Sequence, residues 1–311
     1  MTQSIIPLGS TCTDFQGGIA TAALSVVILA NNEEKFIERC IRSVISWADE
    51  VVLLDSGSVD RTKEIAASLG AKVYEQKWLG LMAKQKNRGI SLAKNDWIFY
   101  LEADEIVTPE LSRSILQVMS GSPDPQHAYS VDRRGDFLGI LLPNLSRPKN
   151  QRRDFRLFNR KYNSEFDTTT KVHESLLFTG KGIPLRGILL HWRAYKMDEY
   201  ITAFNRYATV EAEVLDEKGC RANTFTIVFR PFLRFLWCYV GTGSFRLGMR
   251  GLIHAILKAM SEYICYAKLW EMQNPTLTIH PPADVYQDTC SSTSTTARQF
   301  TSLQQHTEVS S

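Results

Sequence analysis

The chain predicts an α/β fold, a mostly parallel sheet flanked by helices and followed by a helical extension. Three observations carry this. Nearly unbroken apolar runs, Leu24–Ala30, Val51–Leu54 and Trp97–Leu101, have the composition of strands buried on both faces. Between them lie segments whose apolar residues recur at helical spacing, such as Ile37, Cys40, Ile41, Val44 and Ile45. Strand and helix alternate, which implies right-handed crossovers with helices on both faces of the sheet.

Each element has its own justification. Residues 1–23 are small and polar with Gly17-Gly18 and read as a flexible lead-in. After the first strand, Asn31-Asn32-Glu33-Glu34 offers capping residues and early acids for a helix. Asp55-Ser56-Gly57-Ser58-Val59-Asp60 is a turn after the second strand. Ile65, Ala66 and Leu69 give the next helix its apolar side, and Gly70 ends it. Lys72-Val73-Tyr74 is a short third strand, and a helix around Met82–Ala93 precedes the strand at 97–101. Residues 121–195 are rich in Gly, Pro and Arg and read as loops with added antiparallel strands, among them Tyr129–Asp132 and Phe155–Phe158. Residues 196–218 read as a helix, and 276–311, rich in Ser, Thr and Gln, as a disordered tail. The expected organisation is a catalytic domain over 24–195, with halves at about 24–110 and 121–195, and a basic, aromatic helical extension over 196–275.

Bulk composition narrows the possible functions. The 311 residues are 44% hydrophobic and 22% charged, as in an ordinary globular protein. A net charge of +3 gives no global reason to expect nucleic acid as a partner. Cys12, Cys40, Cys220, Cys238, Cys265 and Cys290 are scattered, with no zinc or redox spacing, and a reducing compartment is expected. Neither a secretory signal nor an apolar stretch long enough to span a membrane is read in the sequence.

The most telling residues are Glu102-Ala103-Asp104-Glu105, three carboxylates at the end of an apolar strand. Crowded acids repel unless a cation lies between them, and carboxylate oxygens suit Mg²⁺ or Mn²⁺. Strand carboxyl ends are also where open α/β sheets bind ligands. The alternative at this point is a solvated acidic turn leading to a helix that starts at Thr108-Pro109-Glu110. The first strand lacks the glycine-rich turn of a dinucleotide site and the chain lacks a P-loop. Amides and acids stand at the strand ends instead: Asn32 and Glu33, Asp55, then Glu102 and Asp104. That set can read a base and ribose by hydrogen bonding and hold a metal on a diphosphate.

Taken in order, Ser25–Ile28 with Asn32-Glu33-Glu34, Trp47–Thr62, Gln85-Lys86-Asn87, Asp96-Trp97-Ile98 and Ala103-Asp104-Glu105 resemble family 2 of the inverting glycosyltransferases. The likeness is closest to the branch of lipopolysaccharide-core β-glucosyltransferases. It is strong over 24–110 and continues more weakly through Arg156-Leu157-Phe158, Val172-His173-Glu174-Ser175 and Tyr266–Glu271. The resemblance implies a GT-A fold, a nucleotide-sugar donor, a divalent cation (Mg²⁺ or Mn²⁺) and inversion at the sugar carbon. It implies that Asp55 contacts the base and that Asn32 and Glu33 line the base and ribose pocket. Gln85, Lys86 and Asn87 would approach the nucleoside and phosphates. The family's Asp-x-Asp falls on Glu102-Ala103-Asp104, with Asp104 the direct metal ligand. Glu102, where the family usually has Asp, would by the same resemblance serve ribose or metal with a side chain one methylene longer.

Inversion needs a base for the acceptor hydroxyl. Glu174, in the His-Glu motif of the branch, is the first choice and Asp167 the second. Glu105 is expected only to start a helix. His173 is a candidate for completing the metal shell or orienting the diphosphate, whereas His191 is read as structural. Arg152, Arg153 and Arg156 are either phosphate ligands or a solvated basic loop.

Residues 221–270 carry seven Lys or Arg and one acid, Glu262, a local charge of +6 that leaves −3 for the rest. Ten aromatic residues between Phe225 and Trp270 are interleaved with these basics. Such helices suit a bilayer interface and are drawn to anionic lipid, and they place the protein peripherally on the inner face of the cytoplasmic membrane. Core packing or a homodimer interface is the alternative. The function expected is transfer of a sugar, most simply from a UDP-sugar, to a glycan or lipid-linked acceptor such as lipopolysaccharide core. A non-catalytic sugar-nucleotide-binding protein and a sugar nucleotidyltransferase are the competing readings. The second would want an Arg/Lys-bearing glycine-rich loop after strand one, which the chain lacks.

Overall fold

The computed structural model describes residues 22–142, 154–162, 165–169, 175–193 and 196–274. Among these, one compact unit comprises the residues up to Tyr200 with Trp237–Ala255. A second comprises Ile201–Leu236 and the residues from Ile256 onward.

The first unit is built on an alternating run: β1 (Leu24–Ala30), α1 (Ile37–Arg42), β2 (Glu50–Asp55), α2 (Thr62–Ser68), β3 (Lys72–Glu75), α3 (Met82–Leu92) and β4 (Trp97–Glu102). Then follow β5 (Glu105–Val107), α4 (Pro109–Ser120), β6 (Ala128–Phe137), β7 (Ile140–Leu141), β8 (Asp154–Asn159), β9 (Glu165–Phe166), β10 (Leu176–Leu177) and β11 (Gly182–His191). The main sheet has the order β3-β2-β1-β4-β8-β6-β11-β5, with β7 paired to β6, while β9 and β10 form a separate hairpin. Strands β3, β2, β1 and β4 are parallel, as the alternating pattern predicts. β8 runs antiparallel to both β4 and β6. β11, which has no strand assignment in the sequence reading, is parallel to β6 and antiparallel to β5.

Every residue of β1 is buried, and its side chains alternate between two cores. Val26 and Ile28 face a cluster holding Ile37, Ile41, Ala66, Leu111 and Ile115 from α1, α2 and α4. Val27 and Leu29 face a second cluster with Ala83 and Ile90 of α3. Helices therefore cover both faces, which is why these strands read as continuous apolar runs. Register aligns the strand ends: Ala30 pairs with Asp55, and Leu29 with Glu102. Three chain segments thus release their polar residues at one edge of the sheet.

α1 is not capped as expected. It begins at Ile37 with no side-chain cap, while the backbone N–H groups of Phe36 and Ile37 donate to the Glu33 carbonyl. Asn32, in the left-handed region at φ 56°, is tied across to the turn after β2. Its N–H donates to Ser58 Oγ at 2.8 Å, and its Oδ1 accepts from Val59 N–H at 2.9 Å. Asn tolerates this backbone better than most residues. β11 carries an irregularity between Pro184 and Ile188, where Gly187 has φ 90°. A Cβ there would stand 2.3 Å from the Leu111 backbone nitrogen, so glycine alone lets the strand pass the start of α4. Thr108, the cap of α4, donates its hydroxyl to the Ile188 carbonyl at 2.7 Å and so fixes β11 just after its irregularity.

The second unit centres on α5 (Met197–Glu217), which begins in the first unit, α6 (Thr224–Leu236) and the later part of α7 (Gly248–Gln273). Ala208 and Ala212 pack with Cys265, Tyr266 and Leu269. No helix among the described residues is long and apolar enough to cross a membrane.

Candidate active site

A cavity of about 230 Å³ opens at the carboxyl ends of β1, β2 and β4, walled by Glu33, Ser56, Gln85, Glu102, Asp104 and Arg193 among others. Trp78, half exposed, stands at its lining as well.

Asp104 is the centre of charge. Its Oδ2 lies 2.7 Å from His191 Nε2 and also accepts from Arg193 Nε. Its Oδ1 is buried and has no hydrogen-bond partner among the described residues. Burial pushes this carboxyl up, but the hydrogen bond and charge of His191, joined by Arg193, hold it well below the usual carboxylate range. Arg193 Nη2 reaches Glu33 Oε1 at 2.6 Å. Glu33 is raised by burial, against the opposing pull of Arg193 and with a further push from Asp104. Glu102, Asp104 and His191 each offer a ligand atom, all within 4.8 Å of one another. Two carboxylates and an imidazole are a donor set that Mn²⁺ accepts, and Mg²⁺ with more reluctance for the nitrogen.

His191, read from the sequence as structural, brings its ring nitrogen to this acid cluster. β11 ends there, with His191 paired to Glu105 in the ladder, so the ring emerges beside Asp104. The sequence signal is an apolar run, Ile188-Leu189-Leu190, ending in a histidine, the same pattern that marks Asp55 and Glu102. Arg193, two residues further on, has no local signal at all.

Glu105 also differs from expectation. It belongs to strand β5 rather than to a helix start and is fully buried. Its Oε1 accepts from Arg133 Nε and, at 2.9 Å, from Arg156 Nη2, while its Oε2 accepts from the Glu102 N–H at 2.9 Å. Arg133 also binds Glu102 Oε2 at 2.9 Å, and Arg156 binds Asp154 Oδ1 at 2.9 Å. Arg156 is thus a buried counter-ion to acids, not an exposed phosphate ligand. Burial disfavours its charge, yet Asp154, Glu105 and Glu102 raise its pKa well above the ordinary value.

The remaining sequence candidates divide. Asp55 is fully buried at the end of β2, and its Oδ2 accepts from Gly57 N–H (2.9 Å) and Ser58 N–H (2.8 Å). Its Oδ1 is buried without a partner among the described residues. Gln85 donates to Ser56 Oγ at 3.0 Å and to the Gln76 carbonyl at 3.1 Å, and so shapes the cavity wall. Lys86 is not in that wall. Its Nζ lies 4.9 Å from the Tyr100 ring centre and 4.7 Å from that of Phe166. Asn87 is spent on structure: Nδ2 donates to the Phe166 carbonyl (2.9 Å) and Oδ1 accepts the Phe166 N–H (2.8 Å). Asn32 pins two loops together, as described above. Asp167 Oδ1 accepts from both the N–H and the hydroxyl of Thr169, at 2.8 and 2.7 Å, an arrangement that holds its own turn. Glu174, His173, Arg152 and Arg153 lie outside the described residues.

Set beside known proteins, residues 25–171 match the family model described as glycosyl transferase family 2. The chain is 32% identical over 256 residues to the lipopolysaccharide core biosynthesis glycosyltransferase LpsC of Rhizobium meliloti, spanning 80% of this chain and 92% of LpsC. It is 30% identical over 257 residues to an uncharacterized glycosyltransferase, RP128, of Rickettsia prowazekii, covering 80% of this chain and 87% of the relative. Among solved structures, S. aureus TarS residues 1–349 in complex with UDP aligns over 83% of this chain and 93% of TarS at 14% identity, with a TM-score of 0.41. The protein is a glycosyltransferase with a GT-A-type α/β fold, and it belongs to glycosyl transferase family 2.

Proposed function

We propose that this glycosyltransferase transfers a sugar, with inversion, from a UDP-sugar to a lipid-linked glycan of the lipopolysaccharide-core type, using Mn²⁺ or Mg²⁺. The observation that carries the reading is the convergence of Glu102, Asp104 and His191 within 4.8 Å of one another, the two acids lining a cavity at the strand ends. Asp104 Oδ1, buried without a partner, fits a cation ligand. Asp55 Oδ1, equally buried and unpartnered, is an acceptor of the kind a nucleobase N–H would satisfy. Trp78 gives a ring face at the cavity on which a base could stack. A cation bound here would neutralise charge growing on the departing diphosphate. His191 and Asp104 would hold it, and Glu102 would contribute from beside Arg133. Glu174 is proposed as the base that takes the acceptor proton, with His173 a further metal candidate. The acceptor class rests on the relative LpsC, named for lipopolysaccharide core biosynthesis.

Contact with the inner membrane face is part of the proposal. α6 has no acid, and Phe225, Val228, Phe229, Phe232, Leu233 and Leu236 along it are exposed. Such a face suits the headgroup boundary. Exposed Trp237, Val240, Phe245 and Met249 continue the same character in the following residues.

The test is donor hydrolysis. Purified protein with Mn²⁺ should release UDP slowly from one member of a UDP-sugar panel. Asp104→Asn should abolish release, and Glu174→Gln should keep donor binding while transfer to acceptor collapses. Failure to bind or turn over any nucleoside-diphosphate sugar overturns the reading.

A further inference from the structure

Arg193 stands where a cation serves the site. Its Nε is on the same carboxylate oxygen, Asp104 Oδ2, that His191 Nε2 touches, and its Nη2 is on Glu33 Oε1. The backbone on either side is fixed: Trp192 N–H donates to the Asp104 carbonyl and Arg193 N–H to Asp136 Oδ1 at 2.9 Å. The long side chain can therefore move while its root stays in place. The other arginines of the cluster are committed elsewhere, Arg133 to Glu102 and Glu105, and Arg156 to Asp154 and Glu105.

We propose that Arg193 is an exchangeable counter-ion: it neutralises Asp104 and Glu33 until a divalent cation takes Asp104, and then turns its guanidinium to the donor diphosphate. The inference rests on the proposed metal-dependent use of the site. Three physical points support it. A divalent ion held by Asp104 Oδ1 and His191 would lie against Arg193, which sits on the other oxygen of the same carboxylate, and like charges at that distance repel. A planar guanidinium fork matches the oxygens of a phosphate as well as those of a carboxylate. Arg193 lines the same cavity as Asp104 and Glu33, so the diphosphate of a donor entering it comes within the side chain's reach. Cation and donor then bind cooperatively, because each removes the obstacle to the other. Arg193 acts as a positioning residue for the cation and as a ligand for the donor.

The experiment measures Mn²⁺ affinity by electron paramagnetic resonance of free Mn²⁺, for the full chain alone and with saturating UDP. In the wild type, UDP should tighten Mn²⁺ binding strongly. Arg193→Gln should bind Mn²⁺ alone at least tenfold more tightly than wild type, and UDP should add little further. Arg193→Lys keeps the charge without the fork, so it should bind Mn²⁺ alone like the wild type but UDP at least fivefold more weakly. If Arg193→Gln folds and its Mn²⁺ affinity stays within twofold of wild type, the inference is overturned. If that variant does not fold, wild-type UDP affinity in Arg193→Lys overturns it. Wild-type protein that binds neither Mn²⁺ nor UDP strikes the proposed function itself, a different result from either.

Discussion

Glu102 at the end of β4 and Arg133 on β6 are joined at 2.9 Å, Oε2 to Nη2. The extra methylene of Glu at this position spans the gap to a guanidinium that also serves buried Glu105. Glu102→Asp should shorten that reach and lose the bond, at a cost of about 0.5–1.5 kcal/mol, because Arg133 keeps its other partner. Glu102 has one oxygen on Arg133 and is the most exposed of the three metal candidates, so it is expected to contribute least. Mn²⁺ affinity should therefore fall less in Glu102→Asp than in Asp104→Asn or His191→Ala. Titration calorimetry on the three variants checks the order, and an equal or larger loss for Glu102→Asp contradicts it.

Arg156 presents a different case. It is buried, with Glu105 fully buried against it. Arg156→Met removes one of two cations from an acid that has no water to turn to. Breaking such a pair costs about 3–5 kcal/mol. Urea unfolding should show a lower midpoint with an unchanged slope, their product falling by that amount; a loss below about 1 kcal/mol would mean that the arginine is not needed to neutralise the cluster.

The depressed pKa of Asp104 fixes a pH dependence. Burial raises it, and the contacts with His191 and Arg193 more than offset that, so the folded value lies below the unfolded one of about 3.9. The fold therefore favours the ionised form. Its contribution is fully present above the unfolded value and is lost as pH falls through the folded one. Asp104→Asn lacks it at every pH. The gap in melting temperature between wild type and Asp104→Asn should narrow as pH falls below about 4. A gap that keeps widening below that pH contradicts the assignment.

The exposed face of α6 makes a prediction about lipid. Phe229 and Phe232 are each more than half exposed. Replacing both with Asp puts two anions on a face that has no acid, and should abolish co-sedimentation with phosphatidylglycerol vesicles while melting temperature changes little. Wild-type protein that stays in the supernatant with such vesicles defeats the membrane reading.

Much of the donor side was legible because its strands are buried on both faces. β1, β2 and β4 show as apolar runs, and the polar residues closing the last two, Asp55 and Glu102, mark the edge of the sheet where the cavity opens. The later half resists reading for two reasons. Its strands carry inward arginines, half-buried Arg133 in β6 and buried Arg156 in β8, which break the alternation that marks a half-buried strand. β11 contains Pro184 and the turn at Gly187, residues that normally argue against a strand. The site suffered accordingly. His191 and Arg193 meet Asp104 across 87 and 89 residues, a separation over which no spacing rule operates. Asn87 and Lys86 sit beside the right motif, but their side chains turn towards Phe166.

The order of these charges along the chain governs how the protein is made. Glu33, Glu102, Asp104 and Glu105 all emerge before residue 106, and their ion-pair partners Arg133, Arg156, His191 and Arg193 all lie beyond residue 132. During synthesis the parallel half of the sheet is complete while its acids still repel one another. β6, β8 and β11 bring the cations, so the last strand of the first unit to be translated completes both the sheet and the ion pairs. A nascent chain stalled before β11 holds a half-built active site that would be prone to unfolding, and the first unit should fold in a single late step rather than strand by strand.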